Sequence, residues 1–104
     1  MSHTSFNEVQ MKVIRWSEAR RIIPNSTPEA QMLKMVSEVG ELADAINKGN
    51  MDDIQDAVGD TLVCLINVCA LLDIDPVDCL QVAYDQIKHR KGTLLPNNGV
   101  FVKE

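Results

Sequence analysis

The side chains best suited to chemistry in this 104-residue chain are carboxylates. Glu38 and Glu41 stand three apart, which puts them on one side of a helix and close enough to share a cation. Without a cation, like charges at that spacing repel, and the pair reads equally as a solvated acidic edge; Lys34, one turn before Glu38, offsets part of the repulsion. A second set lies downstream. On a helix, Asp53, Asp56, Asp60 and Asn67 fall within roughly 60° of one another. Acids near a helix N-terminus complement its dipole, but that effect fades within a turn; it accounts for Asp53 and leaves Asp60 and Asn67 in need of another partner. A divalent ion held between the two sets satisfies both. Carboxylates without histidine suit Mg²⁺, with Mn²⁺ as the alternative, better than zinc or copper. Such sites serve phosphate chemistry, in which the metal neutralises phosphate oxygens and activates water for in-line attack.

These residues need helices to position them, and caps and periodicity predict four. The first spans about 5–22, where the spacing of Ser5 to Glu8 fits a capping box, and Pro24-Asn25-Ser26 breaks it. The second spans 28–48, capped by Thr27 with Pro28 in its first turn and closed by Gly49. The third, from Asp52 or Asp53, spans about 53–72, and the fourth, behind Asp75 and Pro76, about 76–91. The tail, 92–104, reads as a turn between two short extended pieces, a small hairpin. Residues 1–104 are therefore expected to form one all-α domain, an antiparallel four-helix bundle. Met32, Met35, Val39, Leu42 and Ile46 share one arc of the second helix, with Glu38 at its edge. The third helix is apolar in nearly every direction, so it should be buried on all sides. One small domain has difficulty covering it, which makes a shared oligomeric core the expectation. Gly40 and Gly59 lie inside helices, where each costs ~1 kcal/mol relative to Ala, and close helix approach is the expected reason.

Composition removes several alternatives. Ten basic against fifteen acidic side chains, a formal charge of −5, argue against nucleic acid or an anionic membrane as the main partner. That charge also sets aside a nucleic-acid module built on Arg15, Arg20 and Arg21. Cys64, Cys69 and Cys79 are odd in number with no CxxC pair, which points to small buried thiols in a reducing cytosol rather than a disulfide framework or zinc ribbon. The histidines, His3 and His89, form neither an HExxH helix nor the paired ExxH motifs of a di-iron bundle. The five glycines are dispersed, so there is no glycine-rich phosphate loop. No segment reads as a signal peptide or membrane span, and a soluble intracellular protein is expected.

Ser37-Glu38-Val39-Gly40-Glu41-Leu42, followed by Asp56-Ala57-Val58-Gly59-Asp60, resembles the MazG-like all-α nucleoside triphosphate pyrophosphohydrolases of the short, single-domain type. The similarity extends from about Trp16 to the tail, through Asp73-Ile74-Asp75-Pro76 and Ile87-Lys88-His89-Arg90-Lys91-Gly92. It implies a helical homodimer or homotetramer that hydrolyses (d)NTPs to the monophosphate and pyrophosphate with Mg²⁺. Carried over by position, Glu38, Glu41 and Asp60 become metal ligands. The family usually has further glutamates where Ser37 and Ala57 stand here; Asp56 is the nearest replacement for the latter, about 100° from the usual direction. Lys88, Arg90 and Lys91 end the fourth helix, where they complement its dipole or, for Lys88 and Lys91, meet phosphates. Lys34 is a second phosphate candidate. Asn67 is a candidate for the sugar or a phosphate, and Trp16 is either core or a platform for the base.

The leading expectation is a Mg²⁺-dependent nucleotide pyrophosphohydrolase in nucleotide-pool control, with Glu38 assisting the attacking water. Guanine nucleotides are a candidate substrate, and a bacterial or phage-infected cytosol the expected setting. The competing expectation is a catalytically inactive helical oligomerisation or nucleotide-sensing module, which Ser37 and Ala57 favour.

Overall fold

The computed structural model describes residues 4–104; His3 lies outside them. Five helices and one hairpin follow in order: α1 (Phe6–Ala19), α2 (Ile22–Asn25), α3 (Pro28–Lys48), α4 (Met51–Leu71), α5 (Pro76–Ile87), β1 (Gly92–Leu94) and β2 (Phe101–Lys103).

Side-chain caps set most helix starts. Ser5 Oγ accepts from the Glu8 amide at 3.2 Å and Thr27 Oγ1 from the Ala30 amide at 3.1 Å. Asp75 Oδ1 accepts from the Val77 amide at 2.8 Å, each contact satisfying one orphan donor of a first turn. The α4 start differs from the sequence expectation. Asn50 caps it, its Oδ1 accepting from the Asp53 amide at 3.2 Å, so Asp52 and Asp53 lie within the first turn rather than before it. The first helix ends at Ala19 rather than Ile22, because Arg21 adopts a left-handed φ of 64° and starts the short α2 turn. That turn carries a cis Ile23–Pro24 peptide bond. α5 ends at Ile87 rather than near Lys91, because strand pairing claims the residues that follow. Gly92 pairs with Lys103 and Leu94 with Phe101, and the Glu104 amide adds a 3.0 Å bond to the Lys91 carbonyl.

α3 and α4 pack together more extensively than any other pair, joined by Gly49 in a left-handed conformation (φ 69°). α1 and α2 lie on α4, while α5 touches α4 only slightly. The core is small: Ala45, Ala57, Cys64, Ile66, Val68 and Cys69 are its buried apolar residues. A radius of gyration of 16.3 Å exceeds the ~13 Å of a compact domain this size. One chain does not bury α4 on every side: Val58 and Leu62 stay exposed, as does Leu72 just past its end. The expectation of no span-like segment also needs correcting. By length and composition α4 could cross a membrane, with a mean hydropathy of 1.5. Its packing against α3 and its line of acids mark it instead as a core helix.

Candidate functional site

The acids expected at a site sit on the paired helices. Glu38, in the middle of α3, is 6% exposed despite its charge. Its Oε1 accepts an ion pair from Lys34 Nζ at 3.3 Å, one turn earlier, while Oε2 is buried with no partner. Leaving such an oxygen desolvated costs roughly 1–3 kcal/mol, more for a charged group. Glu41 is pushed above its ordinary value by the neighbouring Glu38 carboxyl, first through the hydrogen bond a protonated Glu41 would donate to it, then through its charge. Asp60, across on α4, is raised by partial desolvation and then by the charges of Asp56 and Glu38. In both cases Lys34 pulls the other way. Glu38, Glu41, Asp56 and Asp60 therefore form one electrostatically linked group with a single cation, Lys34, acting against their repulsion. Among the described residues, no three carboxylate, thiol or imidazole groups close into a ready-made metal cage.

Asp56 borders two cavities. One, of about 230 Å³, is lined by Glu41, Asp44, Lys48, Asp53 and Asp56 beside the α3–α4 turn. The other, of about 620 Å³, is a groove between α1 and α4 with Asp56 and Asp60 at its acidic edge and Phe6, Val9, Val13 and Leu62 on its walls.

Other expected contributors lie elsewhere. Asn67 is 3% exposed and its amide is fully engaged. Ser17 Oγ donates to its Oδ1 at 2.6 Å, and its Nδ2 donates to Gln31 Oε1 at 3.3 Å. Gln31 in turn donates to Ser26 Oγ at 3.1 Å. This chain of bonds ties α1, α3 and α4 together and holds Asn67 in the interior, away from both acid-bordered cavities. Trp16 is 46% exposed, covered by the Arg20 guanidinium at 4.6 Å from the ring centroid, and lines neither acid-bordered cavity. Lys88 pairs with Asp85 at 3.2 Å, and neither it nor Lys91 borders those cavities. Within one chain Gly40 and Gly59 do not mark close helix approach: beyond the helix's own backbone, a Cβ at either meets nothing within 4 Å.

Sequence reasoning missed Gln10. It lines the α1–α4 groove, and its side-chain oxygen is buried without a donor. The available signal was its place on the same helix stripe as Phe6, Val13 and Ser17, where a polar side chain needs a reason.

Residues 26–94 match the family model of the MazG nucleotide pyrophosphohydrolase domain. An uncharacterized 18.2 kDa protein in the rep-hol intergenic region of Haemophilus phage HP1 (strain HP1c1) is 35% identical over 63 residues, 61% of this chain. The matched part spans 39% of that relative's length. Among solved structures, a cyanophage S-2L MazG-like pyrophosphohydrolase bound to dGDP and three catalytic Mn²⁺ ions per active site shares the fold. Its TM-score is 0.72 at 20% identity, covering 98% of this chain and 99% of that one. The family match takes in both acid-bearing helices, and the chain belongs to the MazG nucleotide pyrophosphohydrolase domain family, a class of hydrolases acting on nucleotides.

Proposed function

We propose that the chain hydrolyses nucleoside triphosphates with Mg²⁺, converting a (d)NTP and water to the (d)NMP and pyrophosphate. The observation that carries this reading is Glu38: a buried carboxylate with one oxygen on Lys34 and the other unpartnered among the described residues, its charge acting on Glu41 and Asp60. An all-oxygen donor set of Glu38, Glu41, Asp56 and Asp60 fits a hard divalent cation, Mg²⁺ or Mn²⁺. That cation, when bound, supplies phosphate neutralisation and an activated water. The protein's own part is placement. Lys34 holds one Glu38 oxygen and leaves the other free to accept the proton of the attacking water, while the α4 acids fix the opposite wall. Attack at the α-phosphorus breaks the α–β anhydride bond and releases pyrophosphate. Guanine nucleotides are the first substrates to assay, given the dGDP held by the cyanophage protein.

Purified protein is expected to release pyrophosphate from at least one (d)NTP with Mg²⁺ and none with EDTA. Absence of release across the full panel overturns the reading. A second reading, a nucleotide sensor without turnover, draws on Ala57, buried where the family usually supplies a further carboxylate. Metal-dependent nucleotide binding by calorimetry, with no pyrophosphate formed, identifies that case.

Self-association is part of the proposal. Leu33 on α3 is 75% exposed and Leu80 on α5 is 69% exposed, with Val36, Val82, Tyr84 and Ile87 open nearby in sequence. Apolar faces on that scale are covered in a stable protein, and a homodimer or homotetramer covers them here.

A further inference from the structure

The basic side chains in the second half of α1 and just beyond it have no role in the chemistry above. Lys12, Arg15, Arg20 and Arg21 fall within ten residues that hold one acid, Glu18, so this stretch carries +3 in a chain of −5. All four are exposed, and none takes part in an ion pair among the described residues. The α3–α4 turn, at the far end of α4 from the Ser17–Asn67 bond, is opposite in sign: Glu41, Asp44, Asp53 and Asp56 surround Lys48 there. Neutralising the negative end of the α1 dipole accounts for Arg20 and Arg21, but not for Lys12 and Arg15 further up the helix. Those two stand roughly 140–160° round α1 from buried Ser17, on the side turned away from α4. Arg20 is held over the Trp16 ring, 4.6 Å from its centroid. Arg21 has a left-handed φ of 64° and makes no side-chain cap. Gly or Asn adopts that conformation at lower cost, so the turn itself gives no reason for an arginine.

We infer that this strip, Lys12, Arg15, Arg20 and Arg21, is a docking surface for a single nucleic-acid strand, held by its phosphates without regard to sequence. The surface is separate from the acid cluster and does not depend on hydrolysis. A net charge of −5 weighs against nucleic acid as the main partner of the whole chain, and the acidic turn confines contact to the strip. From Lys12 to Arg20 is about 12 Å along the helix axis, a span of roughly three or four phosphates at ~3.4 Å per nucleotide of one strand. Guanidinium forks hold phosphate oxygens in pairs, and three of the four cations are arginines. Arg20 favours a nucleic acid over an acidic protein segment. One face of its guanidinium rests on the indole, and the exposed face is a flat cationic surface on which a base stacks.

The test titrates the full chain into fluorescently labelled oligothymidylate and follows anisotropy at increasing salt. EDTA is present throughout, so that the acids hold no divalent cation and cannot bind the phosphates themselves. Polyglutamate is the comparison probe. The wild type is expected to bind the strand with a slope of log affinity against log salt of about −2 to −3. Lys12→Gln combined with Arg15→Gln should weaken binding about ten-fold or more and make the slope shallower by ~0.7 for each cation removed. Arg21→Gly removes a cation while relieving the left-handed backbone. It should hold or raise the melting temperature and still weaken strand binding about three-fold or more. No strand binding at low salt overturns the inference, and so do wild-type affinity and slope in both variants. Polyglutamate bound as tightly as the strand overturns it by assigning the strip to acidic proteins. An oligomeric state changed in the variants, read by light scattering, overturns it by assigning the strip to a second copy of the chain.

Discussion

The α3–α4 pair and the arm made of α5, β1 and β2 differ in what one chain provides for them. In the pair, Thr27 and Asn50 cap the helix starts, and buried Asn67 of α4 accepts from Ser17 of α1 and donates to half-buried Gln31 of α3. Its exception is Glu38, whose second carboxylate oxygen is buried without a hydrogen-bond partner among the described residues. In the arm, helix and strands have local hydrogen bonds but almost nothing to pack against. Leu80, Tyr84, Leu94 and Phe101 are all exposed. The contrast separates two kinds of unfinished business. Unsatisfied charge in the pair calls for a cation and substrate, whereas uncovered apolar surface in the arm calls for another chain. Each prediction below acts on one side of that division.

The largest effect belongs to the acids. Glu38→Gln and Asp60→Asn are expected to lower pyrophosphate release by at least about a thousand-fold, ~4 kcal/mol of barrier. The metal-free melting temperature of Asp60→Asn should hold or rise, since it removes a charge that its neighbours repel, whereas Glu38→Gln also gives up the Lys34 ion pair. Activity retained in either variant places the chemistry outside the α3–α4 pair.

The arm should respond in the opposite way. Leu80→Asp combined with Tyr84→Asp puts charge on a face that is apolar and open in the single chain. Light scattering should show association weakened by roughly a hundred-fold or more, the cost of losing two large anchors from an interface, with helix content by circular dichroism largely kept. Unchanged association would mean that the arm is not the surface where copies meet.

Inside the pair, Asn67→Ala should destabilise by roughly 1–3 kcal/mol in a denaturant titration, because it strands the Ser17 hydroxyl and the Gln31 carbonyl. Lys88→Ala, which loses one solvent-exposed ion pair, should stay within about 0.5 kcal/mol. Near-equal effects would erase the distinction between a hydrogen-bonded interior and a solvated arm.

How much of this was legible in the sequence follows the same division. Local signals located the elements: Ser5, Thr27 and Asp75 cap where their spacing says they should, and the Asn97-Asn98-Gly99 turn joins two short strands. Periodicity put Glu38 at the edge of an α3 core arc; Glu38 is buried, but Met32, Val39 and Ile46 of that arc stay exposed in the single chain, which lacks the partners to cover them. Properties set by distant parts of the chain were not legible. Asn67 lies on the same helical line as Asp60, but the hydroxyl fifty residues away at Ser17 decides that it is a core group. The two interior glycines suggested close packing, and only the arrangement of neighbouring helices shows open space beside them within one chain. An α4 apolar on every side pointed toward full burial, yet a single chain supplies too few partners for that.

The smallest effect is a dependence on pH, and its sign distinguishes the acid cluster from ordinary surface carboxylates. Glu41 and Asp60 are both raised, from ordinary values of 4.5 and 3.8. A raised carboxyl binds protons more tightly in the folded chain than in the unfolded one. Its contribution to stability is therefore fully present below the unfolded value and is lost as pH rises through the folded one. Both groups face solvent, so the contribution is modest. Asn at position 60 resembles the protonated acid at every pH. In metal-free protein, the gain in melting temperature of Asp60→Asn over wild type should accordingly be larger at pH 7 than at pH 4. Added Mg²⁺ should reverse it, because the cation prefers the ionised carboxylate that the variant lacks. A gain independent of both pH and metal would show that Asp60 is an isolated surface charge, and the distinction between a charge-poised pair and a passive arm would lose its electrostatic half.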